Sequence, residues 1–209
     1  MAGLEKIRAG VAGGAGYTGG EMIRILINHP QAELAFVHSK SNAGNPLYKV
    51  HTDLLGDTDL KFTGQLSEDI DVLFLCLGHG DSRRFLEEHA VPDHIRIIDL
   101  SQDFRLKANA SGGSREFVYG LPELNREKIR TAKNIANPGC FATGIQLALL
   151  PLASRGLMKS DIHINATTGP TGAGQGLSPT SHFSWRNNNL SVYKAFGHQH
   201  LGEIRESLV

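Results

Sequence analysis

Two clusters in this 209-residue chain have the residue types and spacing for covalent chemistry. The first is Asn137-Pro138-Gly139-Cys140, directly before the apolar, helix-patterned run 141–153. A thiol there meets unpaired backbone N–H groups and the positive end of the helix dipole, and both favour the thiolate. Pro138 and Gly139 force a sharp turn that projects the sulfur outward, and a thiolate is well suited to acyl transfer through a thioester. The alternative is a small residue packed at a helix start. The second cluster is Gly197-His198-Gln199-His200. Read within a strand over 192–200, the two imidazoles share one face. They could serve as an acid/base and a substrate contact, as a metal pair, or as packing. Zinc asks for more ligands, and no Cys-x-x-Cys or His/Asp cluster accompanies the pair, so no metal is expected. The other cysteine, Cys76, lies in the apolar run 72–77 and reads as a core thiol.

A third feature is built for binding. Residues 10–19 read GVAGGAGYTG. Gly14, Gly16 and Gly19 fit G-x-G-x-x-G, and Gly13, Gly16 and Gly19 fit the variant G-x-x-G-x-x-G. Glycines allow a tight turn and close backbone approach to a pyrophosphate, which a following helix N-terminus then attracts. The candidate cofactor contacts here are Gly13, Gly14, Ala15, Gly16, Tyr17, Thr18 and Gly19. An NAD site usually carries an acid about 20 residues on, at the end of the second strand. This chain has His38, Ser39, Lys40 and Ser41 there, with no acid. The hydroxyl of Ser39 and the ammonium of Lys40 suit a 2′-phosphate, so NADP is expected; an ordinary polar loop is the alternative. His79, between Gly78 and Gly80 at a strand's C-terminal end, is placed with Gly78 beside the cofactor. An anionic substrate needs cationic or N–H partners. Arg105 is the candidate, oriented by Asp103 or merely paired with it in a structural role. The glycine-rich loop 169–176, including Gly172, could cradle an anion through its backbone.

The elements that must position these groups follow from periodicity. Apolar runs at 7–12, 32–38, 72–77 and 95–100 read as strands. Helical patterns at 22–27 and 81–89 lie between them. Repeated strand-helix-strand spacing implies an open, doubly wound parallel sheet. The polar stretch 107–114 reads as a surface loop, 117–124 as extended, and 162–168 and 192–200 as strands of a second domain. The expected division is 1–139, an NADP-binding Rossmann-like domain, and 140–209, the start of an α+β catalytic and dimerisation domain. That second domain has barely begun at Val209, so a further C-terminal segment is expected.

Composition excludes several classes. The 20% charged and 40% hydrophobic content is that of a folded chain, not a disordered one. With 21 basic and 21 acidic side chains there is no electrostatic case for nucleic acid or anionic membrane as partner. The longest uncharged stretch, 134–154, holds Asn, Pro, Gly and Gln and is not a membrane span. No apolar leader is visible at the N-terminus. Two cysteines make no disulfide framework, which points to a reducing compartment and a cytoplasmic location.

Several blocks in order resemble the N-acetyl-γ-glutamyl-phosphate reductase family, related to the aspartate-semialdehyde dehydrogenases: GAGYTGGE from Gly14, DLSQDFRL from Asp99, YGLPELNR from Tyr119, NPGCFAT from Asn137, TGPTGAG from Thr168 and HQHLGEI from His198. The resemblance implies an NADP-dependent reductase of an acyl-phosphate small molecule, and a homo-oligomer. Cys140 would be its nucleophile and His200 its acid/base, with His198 second. It also implies 2′-phosphate contacts at Ser39 and Lys40. Gln175 and Gly202 depart from the family pattern, and members are longer. Competing functions are reduction of another acyl phosphate (succinylated, aminoadipyl or aspartyl) and a catalytically silent dinucleotide-binding module.

Overall fold

A computed structural model describes residues 5–208. The chain divides into two compact units, Met1–Pro138 and Gly139–Val209.

The first unit is an open sheet. Its strands are β1 (Ile7–Ala12), β2 (Ala32–His38), β3 (Phe62–Thr63), β4 (Val72–Leu75), β5 (Arg96–Asp99), β6 (Ser111–Gly112), β7 (Arg115–Tyr119) and β8 (Asn134–Ala136). They lie in the order β3-β2-β1-β4-β5-β8-β7-β6. Every neighbouring pair is parallel except the β6–β7 hairpin. Helices α1 (Tyr17–Ile27), α2 (Asp81–Glu88) and α3 (Pro122–Thr131) link β1 to β2, β4 to β5 and β7 to β8. The runs expected as strands pair because their side chains alternate between two apolar layers. Leu73 and Leu75 join Phe36, Phe85, Ile97 and Phe117 in one layer. Val72 and Phe74 face Val11, Ile23, Val37 and Phe62 in the other. The α/β, doubly wound class is the one expected.

Two local expectations differ, and one strand had no sequence signal. Residues 117–124 do not stay extended: Pro122 opens α3, where its fixed φ suits the first helical position. That helix buries no residue, so it has no apolar stripe to reveal it. Strand β8 is three residues long, too short for a period, and exists because β5 and β7 bracket it. The stretch 107–114 is not plain loop. It holds a hairpin strand, closed at Gly113 with φ +60°, and the Arg83 guanidinium pins it through the carbonyls of Asp103, Asn109 and Ser111.

In the second unit, α4 (Cys140–Ala153) forms as expected, and α5 (Phe183–Arg186) and α6 (His200–Leu208) follow. Neither 162–168 nor 192–200 is a strand, contrary to the expectation for both segments, and among the described residues this unit has none. An extended segment gains ladder bonds only from a neighbour, and no strand pairs with either segment here. Lys194 and Phe196 also take positive φ, 45° and 56°, which interrupts extension. His200, Glu203 and Ile204 are buried at the i, i+3, i+4 spacing of a helix.

Candidate active site in two parts

In the first unit, the C-terminal ends of β1, β2 and β4 open onto a cleft of about 270 Å³, lined by Gly13, His38, Ser39, Lys40, Leu77, Asp81, Arg84, Phe85 and Glu88. The strand order reverses between β1 and β4, and crevices at such points are where open α/β sheets bind ligands. Gly13 has φ +79°, and a Cβ there would stand 2.4 Å from the carbonyl oxygen of Cys76. A Cβ on Gly19 would meet the Gly13 oxygen at 2.5 Å, so strand, turn and helix touch backbone to backbone. Gly16 is different: its nearest such neighbour is 3.6 Å away, and it stands at the N-cap of α1. It leaves room for a ligand at the helix start, where the N–H groups of Tyr17, Thr18 and Gly19 have no carbonyl one turn back.

At the end of β2, Ser39 is buried, and its hydroxyl accepts from Asn42 Nδ2 at 3.3 Å. The exposed Lys40 ammonium lies 4.0 Å from Glu88. Arg84 pairs with Asp81 at 2.5 Å. His38 is buried at 5% exposure, and its Nε2 has no hydrogen-bond partner. Burial first, then the charges of His89 and Lys40, hold its pKa below the ordinary histidine value. Its imidazole is therefore held toward the neutral form. Burial likewise pushes the Cys76 thiol up to about 12, which leaves it inert.

Asp103 does not supply an obvious substrate contact: its carboxylate accepts from Gly80 N at 2.6 Å and Arg83 N at 3.0 Å and caps α2. Arg105 is buried, and Nε donates to Asn137 O at 2.8 Å and Nη2 to Leu100 O at 2.9 Å. It therefore holds the Asn137-Pro138 turn. His79 Nδ1 accepts from Gln102 N at 3.2 Å.

In the second unit, Cys140 is exposed at the first position of α4. Gly139 is buried before it. A Cβ on Gly139 would fall 2.3 Å from His200 Nε2, so the imidazole packs flat on that glycine. Glu203, 3% exposed, ties the arrangement together. Its Oε2 accepts from Gly139 N at 2.9 Å, and its Oε1 lies 3.9 Å from His200 Nε2. His198 caps α6, its Nδ1 accepting from His200 N at 3.2 Å. The two imidazoles are 4.5 Å apart between centroids, and Phe141 and Tyr193 flank His198 at 5.3 and 5.8 Å. Burial, then the charge of Cys140, raise the Tyr193 phenol above its usual value. An exposed thiol, a buried imidazole and a buried carboxylate thus sit around one glycine. Gly172 lies apart in an exposed 3-10 turn, Pro170–Ala173.

The sequence model for the semialdehyde dehydrogenase NAD-binding domain matches residues 8–132, and that for the semialdehyde dehydrogenase dimerisation domain matches residues 140–209. The chain belongs to the semialdehyde dehydrogenase family. Proteins named N-acetyl-gamma-glutamyl-phosphate reductase resemble it throughout: 59% identity in Flavobacterium johnsoniae and 61% in Azobacteroides pseudotrichonymphae, each over 97% of this chain. The chain spans 62% and 63% of the length of those relatives. Among solved structures, aspartate semialdehyde dehydrogenase II from Vibrio cholerae matches with a TM-score of 0.56 over 72% of this chain and 43% of that one, at 18% identity. The aspartate semialdehyde dehydrogenase of Candida albicans, solved with NADP, matches with a TM-score of 0.53 over 73% and 48%, at 17% identity. Both share the fold.

Within this semialdehyde dehydrogenase fold, the structure gathers Gly13, Ser39 and Lys40 in one cleft, and Cys140, His198 and His200 around Gly139. Two contributors were not singled out from sequence. Arg84 carried no motif. Glu203 had a signal, the His-x-x-Glu spacing, but it means contact only on a helix, and the segment read as a strand. No group of three or more metal-ligating residues occurs among the described residues, and none of their helices is long and apolar enough to cross a membrane.

Proposed function

We propose that this chain is the nucleotide-binding and nucleophile-bearing part of an NADPH-dependent reductase. Its substrate is N-acetyl-γ-glutamyl phosphate, reduced to the semialdehyde with release of phosphate, a step of arginine biosynthesis. The carrying observation is the exposed Cys140 at the head of α4 with His200 and Glu203 clamped onto Gly139. Residues 1–139 serve the dinucleotide, and 140–209 begin the catalytic and dimerisation region of a cytoplasmic homo-oligomer.

The donor set of the first unit fits NADP. A glycine turn and helix start face a pyrophosphate, while Ser39, Lys40 and Arg84, with no acid at the end of β2, suit a 2′-phosphate. When bound, NADPH supplies a hydride to the acyl carbon. The chain's own residues do the rest. The Cys140 thiolate attacks the acyl-phosphate carbonyl, the C–O bond to phosphate breaks, and a thioester remains on Sγ. First-turn N–H groups of α4 stabilise the oxyanion. Protonated His200 delivers its proton to that oxygen after reduction. It takes the proton back as the C–S bond breaks, which frees aldehyde and thiolate. Glu203 holds the imidazole in place beside Gly139.

The test runs the reaction in reverse: phosphate-dependent reduction of NADP⁺ with N-acetylglutamate semialdehyde, beside the succinyl and aspartyl analogues. Turnover with the acetyl compound, lost on iodoacetamide labelling of Cys140 alone, is expected. Faster turnover of an analogue would replace the substrate. NADPH binding without turnover of any of them, in this chain and in a longer form, would leave a binding module.

A further inference from the structure

The glycine turn of the cleft has a buttress that no motif marks. The chain between β2 and β3 folds back beneath the turn and buries His51 there, at 6% exposure. Its Nε2 lies 2.7 Å from the carbonyl oxygen of Gly14, 37 residues away in sequence. A carbonyl only accepts, so Nε2 carries the proton and donates. The imidazole also occupies the space a side chain at position 20 would need: a Cβ on Gly20 would stand 2.6 Å from its Cε1. The 3-10 turn Thr52–Leu54 that follows is itself fastened to α1. Asp53 accepts from both Arg24 Nε and Nη2, at 2.6 and 2.7 Å, and this guanidinium holds the Asp53 carboxyl down at about 2.

The Gly14 carbonyl is the one group in the turn whose direction matters twice. A trans peptide is planar, with its C=O and N–H antiparallel. A hydrogen bond that draws the Gly14 oxygen toward His51 therefore turns the Ala15 N–H the opposite way. It also keeps a negative dipole end away from an anion at the start of α1. Glycine at 14 offers no side chain to resist a peptide flip, and the His51 hydrogen bond adds a restraint on its carbonyl side.

We propose that His51 is a positioning residue for dinucleotide affinity, acting by fixing the orientation of the Gly14–Ala15 peptide in the pyrophosphate-binding turn. This rests on the dinucleotide reading above. The roles assigned to His200 and Cys140 do not enter it.

The experiment measures NADPH dissociation constants by fluorescence titration on the 209-residue chain, with melting temperature read in parallel. The variants are His51→Leu, which fills space without donating, His51→Asn, whose amide is too short to reach Gly14, and His51→Gln, whose amide nitrogen falls near Nε2. His51→Leu and His51→Asn are expected to weaken NADPH about 5–10-fold, the value of one hydrogen bond, and His51→Gln to stay within about 2-fold of wild type. In a form that turns over, KM for the dinucleotide rises in the same ratio while kcat holds. Unchanged NADPH affinity in folded His51→Leu or His51→Asn overturns the proposal even if melting falls, since that is a purely structural role. So does failure of both to fold while His51→Gln stays normal. Absence of NADPH binding by the wild-type chain is a distinct result, which removes the dinucleotide reading and this proposal with it.

Discussion

The two units hold their functional groups by different means. In the first, the cleft stands on a sheet buried on both faces, and its turn is fixed by backbone contact at Gly13 and Gly19. In the second, large apolar side chains stand in solvent, with Leu177 and Phe196 fully exposed, while its few buried residues include His200 and Glu203. Sheet packing holds the cleft of the first unit because a close-packed interior leaves little slack. A polar knot between two helix ends sets the second: Glu203 bridges Gly139 and His200, and His198 caps α6. The glycine turn thus leans on packing plus the one His51–Gly14 hydrogen bond, whereas the placement of His200 leans mainly on a few polar contacts near the surface.

The largest effect expected is a separation of chemistry from binding. Cys140→Ala should lower turnover by at least roughly 10³-fold, as loss of a nucleophile does, with NADPH affinity unchanged by titration. A parallel loss of affinity would break the division of labour between the two units. Next comes core against surface. Leu75→Ala should cost about 2–5 kcal/mol in denaturant unfolding, and Phe196→Ser should stay within about 0.5 kcal/mol. Equal costs would mean that Phe196 is packed in solution. Gly13→Ala should cost roughly 1–3 kcal/mol through the positive φ alone, with NADPH affinity falling as the turn shifts. A melting curve like wild type would show that the turn has slack after all.

The smallest effect is in pH. Because burial holds the His38 imidazole below its ordinary 6.5, folding favours its neutral form. That stabilisation is complete above about pH 6.5 and is lost as pH falls below it, where the unfolded state takes up the proton first. Melting temperature should drop between pH 7 and 5.5, and His38→Gln should make the drop shallower. An identical slope in the variant would assign the drop to other histidines.

Much of this was legible before any coordinates. Apolar runs too short for helices gave the parallel strands, and the Pro138-Gly139 turn gave α4 with Cys140 at its head. What misled was one weak signal. Two residues apart is a strand spacing, so His198 and His200 read as neighbours on one face; they are neighbours because one caps the helix the other begins. Asp103 also caps α2, and Arg105 also donates to the carbonyls of Asn137 and Leu100, contacts that no local pattern announced.

The sequence by itself determined the class of the fold, the glycine turn and the candidate nucleophile. Each rests on sterics and periodicity among residues close along the chain, where the backbone leaves few choices. Only the tertiary structure decided which side chains act on them: His51 on Gly14 across 37 residues and Glu203 on Gly139 across 64. Such contacts depend on where the chain returns after a loop, and no local pattern carries that information. The direction of a carbonyl or the tilt of an imidazole is fixed only when a distant partner arrives.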